Sequence, residues 1–343
     1  MLQRRGNKLN EILCELNFKK CSKEPSVYRK EVGERLVVAV YVDDLFVTGT
    51  NKDIINQFKK EMTTNFDMSD LGNLTYYLGI EVCQHEEGIT LNQRRYALKI
   101  LEEAGMNDCN PVHIPMETGL KLYKALKEER IDATSYRKNV GCLRYLLHTR
   151  PDLSYCVGVL SRYMQDPRTS YGAAMKKCLR YLKGTVNLGL TFGRERTRVP
   201  QLVVYSDSNH NVDPDDGKST TGHIFYLGES PITWCSQKQD TVALSSCEAE
   251  FMVTIRIDNK SAIALTKNPV FHERSKHIHT RYHFIRECVE NGQVEVVHIP
   301  GSEQKADILT KALGRNKFKE MRELIGMREI AEDDFKLRRE NVG

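Results

Sequence analysis

Two aspartates stand side by side at Asp43-Asp44, between the apolar runs Leu36-Val37-Val38-Ala39-Val40-Tyr41-Val42 and Leu45-Phe46-Val47-Thr48. Ionised carboxylates about 4 Å apart repel by roughly 4 kcal/mol at an effective dielectric of 20. A lone Asp-Asp pair is most simply an acidic turn that water screens. Fixed at the tip between two hydrophobic strands, the pair makes better sense as ligands for a hard divalent cation such as Mg²⁺. A second set of acids sits at the ends of expected elements: Asp207 after Leu202–Ser206, Glu250 beside the capping pair Ser245 and Glu248, Asp258 after Thr254–Ile257, and Asp307 opening the last helix after Gly301-Ser302. Each alone reads as a cap or a loop residue. Brought to one sheet edge by parallel pairing of the first and fourth strands, the four would bind two Mg²⁺ ions. Such a pair clamps a phosphodiester for in-line attack by water.

The elements that must position these acids follow from hydrophobic periodicity. Leu36–Val42 is β-branched enough to be a buried strand. With Leu45–Thr48 it forms a hairpin whose two-residue apex is Asp43-Asp44. Thr50 and Asp53 cap a helix that places Ile54, Ile55, Phe58 and Met62 on one face. A second amphipathic helix spans about Asn92 to Ala104 and stops at Gly105. From about Leu120 to Gly184 the pattern is helical, divided by Pro151 and Pro167. The stretch 193–198 reads as a linker, with a boundary near Pro200. Beyond it, strands are expected at Leu202–Ser206, His223–Leu227, Ile232–Ser236, Thr254–Ile257 and Val294–Ile299. Helices are expected at Asn259–Lys267, Ser275–Glu290 and Gln304–Leu313. Three strands followed by alternating helices and strands predict a mixed sheet with helices packed on it.

Composition narrows the class. With 40% hydrophobic and 28% charged residues, the 343-residue chain can bury a core and is not of disordered type. Leu36–Val42 is its longest unbroken apolar run, far short of the roughly 20 residues a membrane helix needs, so no membrane partner is expected. The basic start at Met1–Arg5 is followed by no apolar stretch, so no secretory signal is read. Ten cysteines with no C-x-x-C pair argue against a disulfide framework or a thiolate zinc site, and read as reduced thiols of a nuclear or cytosolic protein. The formal net charge of +5 allows nucleic-acid binding without demanding it.

Other groups carry less. His272, His277, His279 and His283 match no zinc spacing. Lys276, His277, Arg281 and Arg286 read as phosphate contacts or as a solvated helix face. Asp213-Pro214-Asp215-Asp216-Gly217 is a turn before it is a calcium loop. Trp234 is most simply core.

Taken together, Tyr41-Val42-Asp43-Asp44 and the run Asp70-Leu71-Gly72-Asn73-Leu74-Thr75-Tyr76-Tyr77-Leu78-Gly79-Ile80-Glu81-Val82 resemble the palm of the reverse transcriptase in copia-type retrotransposon Pol polyproteins, most closely the plant members. Tyr205-Ser206-Asp207, Lys218–Gly222, Ala243–Glu250, Asp258–Ala262, Ser275–Ile278 and Ala306–Lys311 resemble the ribonuclease H domain of the same family. The resemblance covers roughly Lys8 to Leu313. It implies an α/β (α+β) chain: a partial palm over 1–118, a helical connection over 119–200, a ribonuclease H-like mixed sheet with flanking helices over 201–313, and a charged C-terminal tail over 314–343. By the same resemblance, Asp43 and Asp44 are polymerase metal ligands. Asp207, Glu250, Asp258 and Asp307 are the ribonuclease H carboxylates, and Mg²⁺ is the cofactor. RNA–DNA hybrid is the implied partner, bound weakly, alongside a possible Pol-derived protein.

Two departures temper the implied activity. The chain starts inside the palm, so the strand carrying a third polymerase aspartate is expected to be missing. Between Glu250 and Asp258 the family places a full helix and a loop, where this chain has only Phe251 to Ile257. The climb along Thr254–Ile257 takes about 13 Å at 3.3 Å per residue. Phe251, Met252 and Val253 can span at most about 10 Å in descent, leaving nothing for a turn. Glu250 is therefore expected to be displaced and the chain to be inactive or nearly so. The rival readings are a non-catalytic nucleic-acid or Pol-binding protein and a non-functional relic.

Overall fold

The computed structural model describes residues 2–30, 35–194, 201–210, 213–240, 256–257 and 296–330. The chain forms two compact units, residues 1–74 and 75–343. The architecture is mixed α and β, with three sheets and helices, as the sequence implies. Among the described residues no helix is long and apolar enough to cross a membrane.

The first unit runs α1 (Leu2–Glu15), β1 (Lys19–Lys20), β2 (Val27–Lys30), β3 (Leu36–Tyr41), β4 (Asp44–Gly49) and α2 (Lys52–Asn65). Its four strands pair antiparallel in chain order. Strand alternation places Leu36 and Val38 inward, where they meet Ile12 and Leu13 of α1 and Phe58 and Met62 of α2. The run expected to be a buried strand is buried on this face only. On the other face Val37, Tyr41 and Phe46 are exposed. The cap of α2 is Asn51, whose side chain accepts from the Asp53 amide, and not Thr50.

The second unit holds two sheets. One is assembled from distant segments: β5 (Tyr76–Tyr77), β6 (Ile80–His85), β7 (Gly88–Asn92), β8 (Leu188–Gly193) and a last strand at Met327–Glu329. They pair antiparallel, with β7 against β8 and β8 against the last strand. The compact units therefore part at Leu74, whereas the spans read from the sequence part at 118 and 200, because the 76–92 hairpin is joined to β8.

Helices α3 (Arg94–Glu103), α4 (Ala133–Leu146), α5 (Ser154–Ser161) and α6 (Thr169–Lys183) share one buried core with both sheets of this unit. Gly105, at φ +64°, ends the segment after α3 as expected. Asp132 caps α4 through the amides of Thr134 and Ser135. The second sheet holds β9 (Leu202–Asn209), β10 (Thr220–Leu227), β11 (Ser230–Lys238), β12 (Arg256–Ile257) and β13 (Val297–His298). The order is β11-β10-β9-β12-β13, the first three antiparallel and β12 parallel to both its neighbours. This is the mixed sheet the sequence predicts, with β9 parallel to β12.

Three details differ from expectation. The helix read as Gln304–Leu313 is a single turn, α7 (Asp307–Thr310). It is not the last helix, because α8 (Arg315–Leu324) follows. Within the span read as a charged tail, residues 315–330 are folded: Phe318, Met321 and Ile325 are buried, and β14 (Met327–Glu329) pairs with β8 at the edge of the sheet that holds β5 to β8.

Candidate functional site: two carboxylate pairs

At the hairpin, Tyr41 pairs with Asp44, so the two-residue turn is Val42-Asp43 and Asp44 opens β4. The expected apex lies one residue too far along. Val42 has φ +53° while Asp43 is on the ordinary side, the pattern of a type II′ turn, where glycine is usual. A β-branched residue there is strained, and Val42 is 70% exposed, so packing does not hold it. Asp43 and Asp44 are both exposed. Directly opposite residues share a face, so Asp44 lies with Tyr41, Ala39 with Phe46, and Val37 with both Thr48 and Arg29. One open face thus carries Asp44 and the Tyr41 ring at one end, Phe46 in the middle and Arg29 beyond. Two exposed carboxylates supply the hard oxygen donors that suit a divalent cation.

The second pair lies in the other unit. Asp207 sits inside β9, which runs past it to Asn209, and is paired with Gly222 of β10. Asp307 is the first residue of α7. Helix α7 approaches the sheet closely because Gly222 lacks a side chain: a Cβ there would meet Leu309 Cβ at 2.6 Å and Thr310 Cγ2 at 2.8 Å. Gln304 donates to the Ser206 carbonyl at 2.9 Å, and the Thr310 hydroxyl donates to the Asp207 carboxylate. Lys311 Nζ lies 3.4 Å from Asp207 Oδ2 and 2.8 Å from Asp307 Oδ1. Both carboxylates thus reach one cation, so their donor set and convergence fit a divalent ion. Among the described residues no group of three or more His, Cys, Asp or Glu is placed to hold a metal.

Of the other residues singled out from the sequence, Glu250, Asp258, Lys276, His277, Arg281 and Arg286 lie outside the described residues, as do His272, His279 and His283. The acidic turn at 213–217 is a turn, closed by the Gly217 amide donating to the Asp213 carbonyl at 2.9 Å. Asp213 is ion-paired to Arg162 at 2.9 Å and to Lys238 at 2.6 Å. Burial alone would push its carboxyl up, but Lys238 and Arg162 outweigh burial and hold it below the usual carboxylate range. Trp234 is half-buried, and its indole N–H donates to the Leu147 carbonyl at 3.0 Å.

Gly222, Thr310 and Lys311 lie inside motifs the sequence singles out, but sequence reading gave them no role of their own. The Asp307/Lys311 spacing of four on a helix was the available signal for the ion pair. Sequence reading missed a buried network in the same unit. Arg150 donates to both Asp152 oxygens, at 2.9 and 2.8 Å, and the Tyr181 hydroxyl donates to Asp152 at 2.6 Å.

Residues 5–118 match the family described as reverse transcriptase (RNA-dependent DNA polymerase). The chain is 37% identical over 94% of its length to a retrovirus-related Pol polyprotein from transposon RE1 of Arabidopsis thaliana, of which it covers 24%. It is 33% identical over 93% of its length to the Pol polyprotein from transposon TNT 1-94 of Nicotiana tabacum, covering 27% of that protein. It is 32% identical to a putative transposon Ty5-1 protein of Saccharomyces cerevisiae, covering 80% of it and 71% of this chain. The chain spans about a quarter of the length of the Pol polyproteins it matches. No solved structure matches.

Proposed function

Because this chain belongs to the reverse-transcriptase family of retrotransposon Pol proteins, we propose that it is the part of a copia-type Pol polyprotein that joins the polymerase palm to a ribonuclease H domain. In this reading residues 1–118 derive from the palm, 119–200 from the helical connection and 201–313 from the ribonuclease H-like domain. Asp43 and Asp44 would hold the polymerase Mg²⁺, and Asp207, Glu250, Asp258 and Asp307 the nuclease Mg²⁺. The observation that carries the nuclease half is the convergence of Asp207 and Asp307 on one cation beside a mixed sheet.

Bound there, Mg²⁺ supplies charge neutralisation for phosphoryl transfer. The chain's own part is positioning. Gly222 lets α7 close on β9, Gln304 ties the preceding loop to Ser206, and Thr310 orients the Asp207 carboxylate. At the hairpin, the open face bearing Arg29, Tyr41 and Phe46 beside Asp44 suits a nucleic-acid strand, with cation to phosphate and ring to base.

Both activities are proposed to be weak or absent in the isolated chain. Among the described residues no third carboxylate joins Asp43 and Asp44, and a half-built metal site loses most of the rate. In the nuclease half, Phe251 to Ile257 is too short to return the strand to the edge that Glu250 must leave. The test is one preparation of the full chain with two substrates, a labelled RNA–DNA hybrid and a primed RNA template, each with Mg²⁺ and with EDTA. The expected outcome is no primer extension and little or no hybrid cleavage, with salt-sensitive binding of the hybrid. Mg²⁺-dependent extension lost in Asp43→Asn, or brisk cleavage lost in Asp207→Asn, would overturn the corresponding half.

A further inference from the structure

We propose that Lys311 is a displaceable internal cation at the Asp207–Asp307 pair, so that a divalent ion enters only by exchange with the lysine ammonium. The inference rests on reading these two aspartates as metal carboxylates.

The pair does not need the lysine to stay assembled. Asp207 is fixed within β9 and takes a hydrogen bond from Thr310, while Asp307 is carried on α7, which Gly222 allows against the sheet. The two carboxylates are almost wholly buried, with side chains 6% and 10% exposed, whereas the Lys311 side chain is 37% exposed. Two negative charges so placed call for a counter-charge. Lys311 supplies one as a compact ammonium on a flexible four-carbon stem that reaches solvent. An ammonium neutralises but offers no empty coordination position, whereas Mg²⁺ demands several oxygen ligands at about 2.1 Å. With only two carboxylates at the site, one Mg²⁺ already balances their charge, so an ammonium held against the same oxygens loses most of its attraction and is repelled by the ion. Divalent affinity at this pair is therefore set by how readily Lys311 leaves.

The test uses the full chain and MnCl₂, with binding read from loss of the free-ion electron paramagnetic resonance signal. Lys311→Met is expected to bind Mn²⁺ at least about tenfold more tightly than the unmodified chain, and Lys311→Arg no more tightly. Adding Asp207→Asn to Lys311→Met should abolish the gain. A second readout needs no substitution: acylation of Lys311 by a water-soluble succinimidyl ester, followed by mass spectrometry, should rise as MgCl₂ is added. Asp207-dependent Mn²⁺ binding that is no tighter in Lys311→Met, or Lys311 acylation that stays flat while Mg²⁺ saturates, would overturn the exchange. If no form of the chain binds Mn²⁺ through Asp207, the metal reading of the pair falls, and the exchange with it.

Discussion

Val42 concentrates the strain of the hairpin in one residue. Its φ of +53° is costly for a β-branched side chain, on the order of 1–2 kcal/mol, and glycine carries no such penalty. Val42→Gly is expected to leave the stability of the first unit unchanged or raise it by up to about 1 kcal/mol, because relief of strain exceeds the entropy glycine adds to the unfolded chain. Urea unfolding followed by circular dichroism measures this, and a loss above about 1 kcal/mol would show that the isopropyl group is held by contacts. That Asp43 and Asp44 fall at a hairpin was legible in their flanks. Their place in the turn was not. Moving the apex by one residue shifts the strand register by two, which keeps every side chain on its own face, so alternation cannot distinguish the two registers. The pairing of Lys311 with Asp207 was illegible for another reason: the two are remote in sequence, and only folding brings them together.

At the scale of elements, the close fit of α7 on β10 depends on Gly222. Gly222→Ala is expected to cost about 1–3 kcal/mol by overpacking against Leu309 and Thr310, and to move Asp307 away from Asp207. Thermal melts with and without the substitution report the cost, and an unchanged midpoint would mean that α7 is not pressed on the sheet. Helices α4, α5 and α6 were legible because Leu143 and Leu146, then Val157 and Leu160, then Met175, Leu179 and Leu182 recur at helical spacing and are all buried. Pro151 and Pro167 fall between them. Helix α8 was hidden by its charges. Arg315, Lys317, Lys319, Glu320, Arg322 and Glu323 surround Phe318 and Met321 and make the segment read as a charged tail. Strands β5 to β8 and β14 were illegible as one sheet because their partners lie far apart in the chain, and local pattern carries no record of such pairings.

The second unit as a whole is tied by a charge pair at its centre. Arg150 and Asp152 have side chains 3% and 0% exposed, and Arg322 of α8 reaches the Tyr181 hydroxyl at 3.2 Å. Burial alone would raise the Asp152 carboxyl, but Arg150 outweighs it and holds Asp152 below the usual carboxylate range. The unfolded chain therefore takes up this proton first as pH falls. The pair's contribution is complete above about pH 5 and is lost as pH drops through the carboxylate range and below. Asp213 has the same sign. Asp152→Asn should cost about 3–5 kcal/mol at neutral pH, since it strands a buried guanidinium, and should flatten the acid limb of stability. Denaturant midpoints between about pH 3 and 7 would check both, and an acid limb as steep in the variant would assign it elsewhere. The sheet made of β5, β6, β7, β8 and β14 also has a consequence in time. On the ribosome β8 emerges long before β14, and the stretch between Gly193 and Met327 takes roughly 7 to 27 s to synthesise at 5–20 residues per second. For that interval the edge of β8 stands open, as it would permanently in any product cut short by an early stop codon, so a truncated transcript should yield chains that cling to one another or to chaperones.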